Sequence, residues 1–492
     1  MKSLIDINLW RSGHIDGKPN ASDFYYVKLA RRLYEVIRFT PVGREQDEYM
    51  CARCAMSVAY YFEDVVSGVG VWQAFTSKHK ELYGKYLPFY DVNEEEYYQD
   101  EINFEDVCFL LWILLQKDRE NTFLNPENPY LTEMAFSVYN ELEDEFEKAP
   151  INVEMVERLK NPFFYEDFFP LKALLIRMVK TLYLLEPFLD ERLDKAEDEV
   201  RAILEDNVDD SSYAYAVNSL VACCEKTGPL ALYAKDWLAA MLAYWGMEEE
   251  SERVAAIESS GFAVYLLKKY DSETICLENI EGEEYVVPRL SFEELPDSTL
   301  LDNKSFIGSL VKYDGEWQAN GLSSWSRGTA LFEAYKEEKM KRRGDSVIYD
   351  KGMKANKNHP LVYFKGHEEM LEWMDKYIGL HEKFTLPEKL KKLRYFALYL
   401  DKVKEMSVLP EGALMIKDEE HNPYYSKEEA EKGGFNFIVS DTVTSKEVAH
   451  YLIEHRMLPD ACINSTQGLE RGKQLVQENM DFIARFMRTD GY

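Results

Sequence analysis

The sequence has little that would place it in a membrane or an oxidising compartment. No uncharged apolar run reaches 18 residues, so we expect no membrane-spanning helix. The amino terminus carries acidic residues and lacks a long apolar core, so we expect no signal peptide. The seven cysteines are odd in number and scattered, which favours reduced thiols in the cytoplasm over a disulfide framework.

Positive charge is also scarce. The chain has 58 Lys and Arg residues against 89 Asp and Glu residues, which gives a formal net charge of −31. A charge of that sign repels phosphate backbones and anionic lipid head groups, so nucleic acids and membranes are unfavourable partners. Aromatic residues make up 14% of the chain, and such chains are rarely disordered, so we predict folded structure nearly throughout.

Familiar cofactor and catalytic motifs are missing. Gly68 and Gly70 form a Gly-x-Gly, but neither the third glycine of a dinucleotide site nor the Lys-Ser or Lys-Thr of a P-loop follows. The sequence has no Gly-x-Ser-x-Gly nucleophile motif. Cys51 and Cys54 form a single Cys-x-x-Cys in a helical pattern, which predicts buried cysteines rather than a zinc site. We therefore predict no cofactor and no metal site.

The histidines do not form a recognisable metal motif either. His450 and His455 are five residues apart, so they lie about 140° apart around a helix and do not match the zinc-binding His-Glu-x-x-His. The segment DEEHNPYY from Asp418 lacks the glycine and terminal acid of a calcium loop, and it predicts an Asn-Pro turn. His359 and His421 are isolated in the sequence.

Hydrophobic periodicity predicts a mainly α fold of the α+β class in four parts. Residues 1–255 are predicted as a helical domain, 256–328 as a small antiparallel β-barrel-like module, 329–360 as a basic loop or linker, and 361–492 as a C-terminal helical region. Within the β module, Asp314-Gly315 is the strongest hairpin signal. Within the last region, PEKLKKLRYFALYLDKV has apolar residues at helical spacing.

The stretch richest in reactive side chains lies between residues 61 and 106. Its acids and one histidine are candidates for the cleft of a metal-dependent hydrolase or nuclease-like enzyme. Their spacing does not impose a shared helix face, so the alternative is a packed connection with first-turn acids facing a helix dipole. The candidate catalytic residues are Glu63, Asp64, His79, Asp100 and Glu101.

A second candidate site combines the β module with the basic segment after it. Strand aromatics can stack on nucleic-acid bases while basic side chains contact phosphates. Against this, aromatic residues in a small β module often fill its interior, and the net charge opposes nucleic-acid binding. The candidate binding residues are Tyr313, Trp317, Trp325, Lys341, Arg342 and Arg343.

Four segments together resemble an uncharacterised bacterial family, a domain of unknown function typical of gut bacteria. The segments are DFYYVKLARRLYEVI, YFEDVVSGVGVWQAFTSKHKELYGKYLPFYD, DEINFEDVCFLLW and the carboxy-terminal LPDA…ENMDFIARF. The resemblance covers most of the chain and implies a cytoplasmic bacterial protein, with no activity or residue role to transfer.

The missing catalytic motifs and the acidic, aromatic-rich composition favour a non-catalytic interaction protein with a protein partner. The metal-dependent enzyme and the nucleic-acid-binding protein remain as alternatives.

Overall fold

The computed structural model describes residues 4–93, 95–119, 123–204, 209–292, 300, 303–342, 346–379, 386–402, 404–463, 465, 467–488 and 492. The chain divides into two compact units, Met1–Phe332 and Glu333–Tyr492. It is 56% helical and 15% strand, so the predicted α+β class is confirmed. The four finer domain boundaries stay a prediction.

Unit 1 begins with helices. They are α1 (Ile7–Ser12), α2 (Asp23–Phe39), α3 (Pro41–Glu45), α4 (Glu48–Ser67), α5 (Val71–Tyr83), α6 (Phe104–Lys117), α7 (Pro129–Phe146), α8 (Val153–Leu159), α9 (Phe163–Glu166), α10 (Phe168–Thr181), α11 (Leu189–Arg201), α12 (Asp210–Cys224), α13 (Ala234–Tyr244) and α14 (Glu248–Ala255).

Local sequence explains how the central helices of unit 1 begin and end. Helix α4 starts after Asp47, whose carboxylate accepts a hydrogen bond from the Met50 backbone N–H at 2.7 Å. It ends at Gly68, whose φ of 67° lies in the left-handed region that glycine adopts without strain. Helix α6 is buried on all sides from Val107 to Gln116, as expected for an all-apolar helix at the centre of a core.

Unit 1 also contains two antiparallel sheets. The strands are β1 (Lys226–Thr227), β2 (Leu232–Tyr233), β3 (Glu258–Ser259), β4 (Ala263–Tyr270), β5 (Thr274–Glu278), β6 (Glu284–Pro288), β7 (Asn303–Tyr313) and β8 (Glu316–Arg327). Strands β1 and β2 pair with each other, and the other six form a sheet in the order β3-β7-β4-β5-β6, with β8 paired to β7.

The larger sheet is open, so the predicted barrel-like module is not confirmed. Among the described strands, no hydrogen-bonded pairing joins β6 to β8, which a closed barrel would require. Strand β6 ends at Pro288, which has no N–H to donate to a further strand. The predicted hairpin is confirmed: Asp314 and Gly315 have φ values of 50° and 82°, and they join β7 to β8.

Unit 2 combines helices with a three-stranded antiparallel sheet in the order β11-β10-β9. The helices are α15 (Ala330–Arg342, which begins just before the boundary), α16 (Ser346–Ala355), α17 (His367–Ile378), α18 (Gly412–Met415), α19 (Lys427–Val439), α20 (Lys446–Glu454) and α21 (Leu469–Met487). The strands are β9 (Leu361–Gly366), β10 (Arg394–Asp401) and β11 (Glu405–Leu409).

Two secondary-structure predictions are wrong in unit 2. The segment predicted as a helix around Leu393 contains β10, the central strand, in which Phe396, Leu398 and Leu400 point to one buried face. One pairing partner, β11, follows directly in a hairpin, and the other, β9, lies about 30 residues earlier, so strand pairing overrides the helical spacing. The predicted basic loop at 329–360 holds α15 and α16.

Candidate functional site

Asp64, a candidate catalytic residue, fixes the junction between α4 and α5. Its carboxylate accepts hydrogen bonds from the backbone N–H groups of Gly70 at 2.7 Å, Val71 at 3.1 Å and Trp72 at 2.8 Å. The Tyr183 hydroxyl donates a fourth bond at 2.7 Å. Burial raises the pKa of Asp64 to about 6, although these four donors favour the charged form. Asp64 therefore works as the cap of α5.

Glu63, the residue before Asp64 on α4, belongs to a buried polar network. Its carboxylate lies 2.7 Å from His14 Nε2 and accepts hydrogen bonds from Asn152 Nδ2 at 2.9 Å and Ser22 Oγ at 3.4 Å. His14 and Glu63 are 3% and 2% exposed, so water screens their interaction little. Burial lowers the pKa of His14, but the Glu63 carboxylate and the nearby Asp23 outweigh it, and the net shift is upward.

The raised pKa of His14 predicts a pH-dependent stability. Because the folded-state pKa exceeds 6.5, the stabilising contribution is complete below pH 6.5 and is lost as pH rises through the folded-state value. Urea unfolding between pH 6 and 9 should therefore give a falling free energy of unfolding. The decline should be smaller in a His14→Gln variant, and equal declines in the two proteins would contradict the prediction.

The five candidate catalytic residues do not converge on one cleft. Glu63 and Asp64 line a small cavity of about 30 Å³, which has room for one or two water molecules rather than a substrate. The His79 Nδ1 lies 2.6 Å from the Lys85 carbonyl oxygen, and burial lowers the pKa of His79 to about 4, so this ring is neutral. Asp100 and Glu101 are exposed at the surface.

The candidate aromatic residues of the β module pack against protein. Tyr313 is buried and donates its hydroxyl to the Tyr165 carbonyl oxygen at 2.5 Å. Trp317 and Trp325 are partly buried against the core of the larger sheet. Of the basic candidates, the side chains of Lys341 and Arg342 and the whole of Arg343 lie outside the described residues.

A different group of side chains converges in unit 2. His359 precedes β9, and Asp418 and His421 follow α18. His359 Nε2 lies 3.3 Å from Asp418 Oδ2, and His421 Nδ1 lies 3.1 Å from Asp418 Oδ1. One potential ligand atom from each residue lies within 4.8 Å of the other two. The two imidazole rings stack with centroids 4.0 Å apart. We call these three residues the His-Asp-His cluster.

The environment of the cluster is asymmetric. Asp418 is 4% exposed and accepts a hydrogen bond from the Tyr363 hydroxyl at 2.9 Å, whereas His421 is 46% exposed. The cluster is therefore anchored in the protein on one side and open to solvent on the other. Sequence analysis missed it because His359 is 59 residues from Asp418 and had no visible partner. The predicted Asn-Pro turn is confirmed, since Asn422 Oδ1 accepts the Tyr424 N–H at 3.0 Å.

Comparison with known proteins identifies the family. The model of a family described as protein of unknown function (DUF3843) matches residues 10–261 and 317–488, which is most of the chain. The chain therefore belongs to this family, and the resemblance to a domain of unknown function is confirmed, whereas the bacterial origin stays a prediction. No curated protein and no solved structure was found to match. Among the described residues, no helix has the length and apolar character needed to cross a membrane.

Proposed function

We propose that the protein is a non-catalytic binding protein that docks a basic segment of a partner protein on unit 1. The surface that supports this proposal lies at the start of α6 and along α7. It combines aromatic rings with carboxylates, and we call it the acidic aromatic surface. It consists of Tyr98, Phe104, Phe136 and Tyr139 with Asp100, Glu101, Glu105 and Glu143.

A cluster of three aromatic rings, with Phe136 exposed and Phe104 and Tyr139 half-buried, is the observation that carries the proposal. The Phe104 ring lies 6.3 Å from that of Phe136 and 6.0 Å from that of Tyr139, both edge to face. Phe136 is 58% exposed and Tyr98 is 54% exposed. Aromatic side chains are enriched in the centres of protein interfaces, and their loss there is among the most costly.

The carboxylates around these rings define the chemistry of the partner. Burial raises the pKa of Tyr139, and the nearby Glu143, Glu105 and Glu101 carboxylates raise it further, so negative charge surrounds the ring. Arginine and lysine pair with carboxylates and also stack on aromatic faces, so a basic segment complements both features. The net charge of −31 adds long-range attraction for such a partner.

The structural contacts of the candidate catalytic residues Glu63, Asp64 and His79 also support a non-catalytic role. Asp64 is surrounded by four donors, Glu63 pairs with His14, and His79 contacts a backbone carbonyl group. A metal-dependent hydrolase would need an available acid-base pair beside a cavity large enough for a substrate. Glu63, Asp64 and His79 do not provide such a pair, because each is engaged in the contacts named above. Asp100 and Glu101 become binding residues in this proposal. The seven free cysteines are consistent with the proposed cytoplasmic location.

A peptide-binding experiment tests the proposal. The full-length protein is titrated with a short fluorescent peptide rich in arginine and leucine, at low and at high salt. We expect binding that weakens with salt and becomes about 10-fold weaker in each of two variants, Phe136→Ala and Glu101→Lys.

Two matched variants serve as controls. Tyr49→Ala removes a ring that is 77% exposed elsewhere on unit 1, and Glu273→Lys makes the same charge change at another exposed position. Both should bind the peptide as the wild-type protein does. No binding by the wild-type protein, or equal losses in all four variants, would refute docking at the acidic aromatic surface.

A further inference from the structure

We propose that the His-Asp-His cluster of unit 2 binds a divalent transition-metal ion. This site is independent of the acidic aromatic surface and goes beyond the partner binding proposed above. The sequence predicts no metal and no cofactor, and metal titration of the protein tests that expectation as well.

The spacing of the three side chains matches a shared ion. Imidazole nitrogens and carboxylate oxygens bind zinc at about 2.0 to 2.2 Å, so two ligands of one ion lie roughly 3 to 3.5 Å apart. The distances from Asp418 to His359 Nε2 and His421 Nδ1 are 3.3 and 3.1 Å. The two nitrogens face different oxygens of one carboxylate, and one potential ligand atom of each side chain lies within 4.8 Å of the others, so an ion can bind between them once they move toward it.

The orientation of His359 gives a second, independent reason. Its Nδ1 lies 2.9 Å from the Leu361 carbonyl oxygen, to which it donates in one tautomer, and 3.3 Å from the Leu361 N–H, from which it accepts in the other. In the tautomer that donates from Nδ1, the lone pair is on Nε2 and faces Asp418. Metal-binding histidines are commonly held by a hydrogen bond of this kind to a backbone carbonyl group.

The Nε2 atom of His359 is buried and makes no hydrogen bond. In the tautomer protonated at Nδ1, the Nε2 lone pair faces a carboxylate oxygen 3.3 Å away, which is repulsive without a cation between them. A proton on Nε2 relieves that repulsion in two ways: as the neutral tautomer in which Nδ1 accepts the Leu361 N–H, or as an imidazolium stacked on His421 at 4.0 Å. A metal ion satisfies both ring nitrogens and the carboxylate together.

The ligand set and its exposure indicate the class of ion. Two imidazoles with one carboxylate suit zinc, iron, cobalt or nickel, whereas magnesium and calcium prefer oxygen ligands alone. Three protein ligands leave at least one coordination position for water or an external ligand. Because His421 is 46% exposed, that position is open to solvent and the ion is expected to exchange.

Metal titration of the chelator-treated full-length protein tests the site. We expect Zn²⁺ and Co²⁺ to bind in a one-to-one ratio and to raise the unfolding midpoint, and Mg²⁺ and Ca²⁺ to have no effect. Bound Co²⁺ should give visible absorption bands characteristic of nitrogen and oxygen ligands in a low-coordinate site. His421→Ala should weaken binding at least about 100-fold, since losing even a residue that only orients a ligand costs roughly 10- to 100-fold.

Further variants separate loss of ligands from loss of folding. His421 is exposed, so its replacement should leave the fold intact, which circular dichroism verifies. His359→Gln should also abolish binding, while His367→Ala, at the start of α17 and outside the cluster, should bind as the wild type does. No Zn²⁺ or Co²⁺ binding by the wild-type protein, or unchanged affinity in His421→Ala and His359→Gln, would overturn the proposal.

Discussion

Replacing Asp64 with alanine will lower the free energy of unfolding by about 3 to 5 kcal/mol, because a buried polar donor left without a partner costs roughly 1 to 3 kcal/mol. The change removes the carboxylate that accepts from Gly70, Val71 and Trp72, and it also removes the acceptor of the Tyr183 hydroxyl. Water cannot replace the lost acceptor fully, since Asp64 is 3% exposed. Urea denaturation of the wild-type and variant proteins measures the difference.

Two companion variants make the result interpretable. Asp64→Asn keeps one acceptor oxygen and should destabilise less than the alanine variant. Asp100→Ala, at an exposed position, should change the free energy of unfolding by no more than about 0.5 kcal/mol. If Asp64→Ala and Asp100→Ala had equally small effects, the carboxylate of Asp64 would not be capping α5, and a functional role for it would need reconsideration.

Replacing Glu63 with leucine will destabilise the fold by a similar amount, about 3 to 5 kcal/mol at neutral pH, since it leaves a buried charged partner uncompensated. His14 would lose its contact at 2.7 Å, and Asn152 would lose its acceptor at 2.9 Å. The effect should shrink as pH rises through the folded-state pKa of His14, because the histidine is then neutral in the wild-type protein too.

A double-mutant cycle isolates the pair. The single variants Glu63→Leu and His14→Phe should each destabilise strongly, whereas the double variant should be more stable than the sum of the two changes indicates. Replacing both members of a buried ion pair with apolar groups is often nearly neutral. Strict additivity would mean that the two residues do not depend on each other, contrary to the geometry.

Much of unit 1 was predictable because its signals are local. Asp47, Gly68 and the apolar run in α6 specify helix ends and burial through neighbours a few residues away. Asp314-Gly315 specifies its hairpin for the same reason, since the required positive φ angles belong to those two residues. By contrast, β10 carries apolar residues at both helical and strand spacing, and pairing with β9 and β11 decides between them.

The candidate sites were harder to predict because their residues meet only in three dimensions. Asp64 was identified from sequence as a candidate catalytic acid, but nothing local revealed that Tyr183 would donate to it. Glu63 was also identified as a candidate catalytic acid, and its partner His14 lies 49 residues earlier in the chain. Asp100 and Glu101 were also chosen as candidate catalytic acids of a cleft, whereas the structure places both at the surface.

The sequence by itself determined the charge, the mainly helical character, the family, and the hairpin at Asp314-Gly315. The charge and helical character depend on composition and local spacing, and the hairpin depends on the two residues of its turn. Tertiary structure alone decided that the larger sheet is open, that β10 is a strand, and that His359 meets Asp418 and His421. The physical reason is the same in each case. Strand pairing and side-chain clusters join residues far apart in the chain, and local propensity carries no information about which distant segment packs against them.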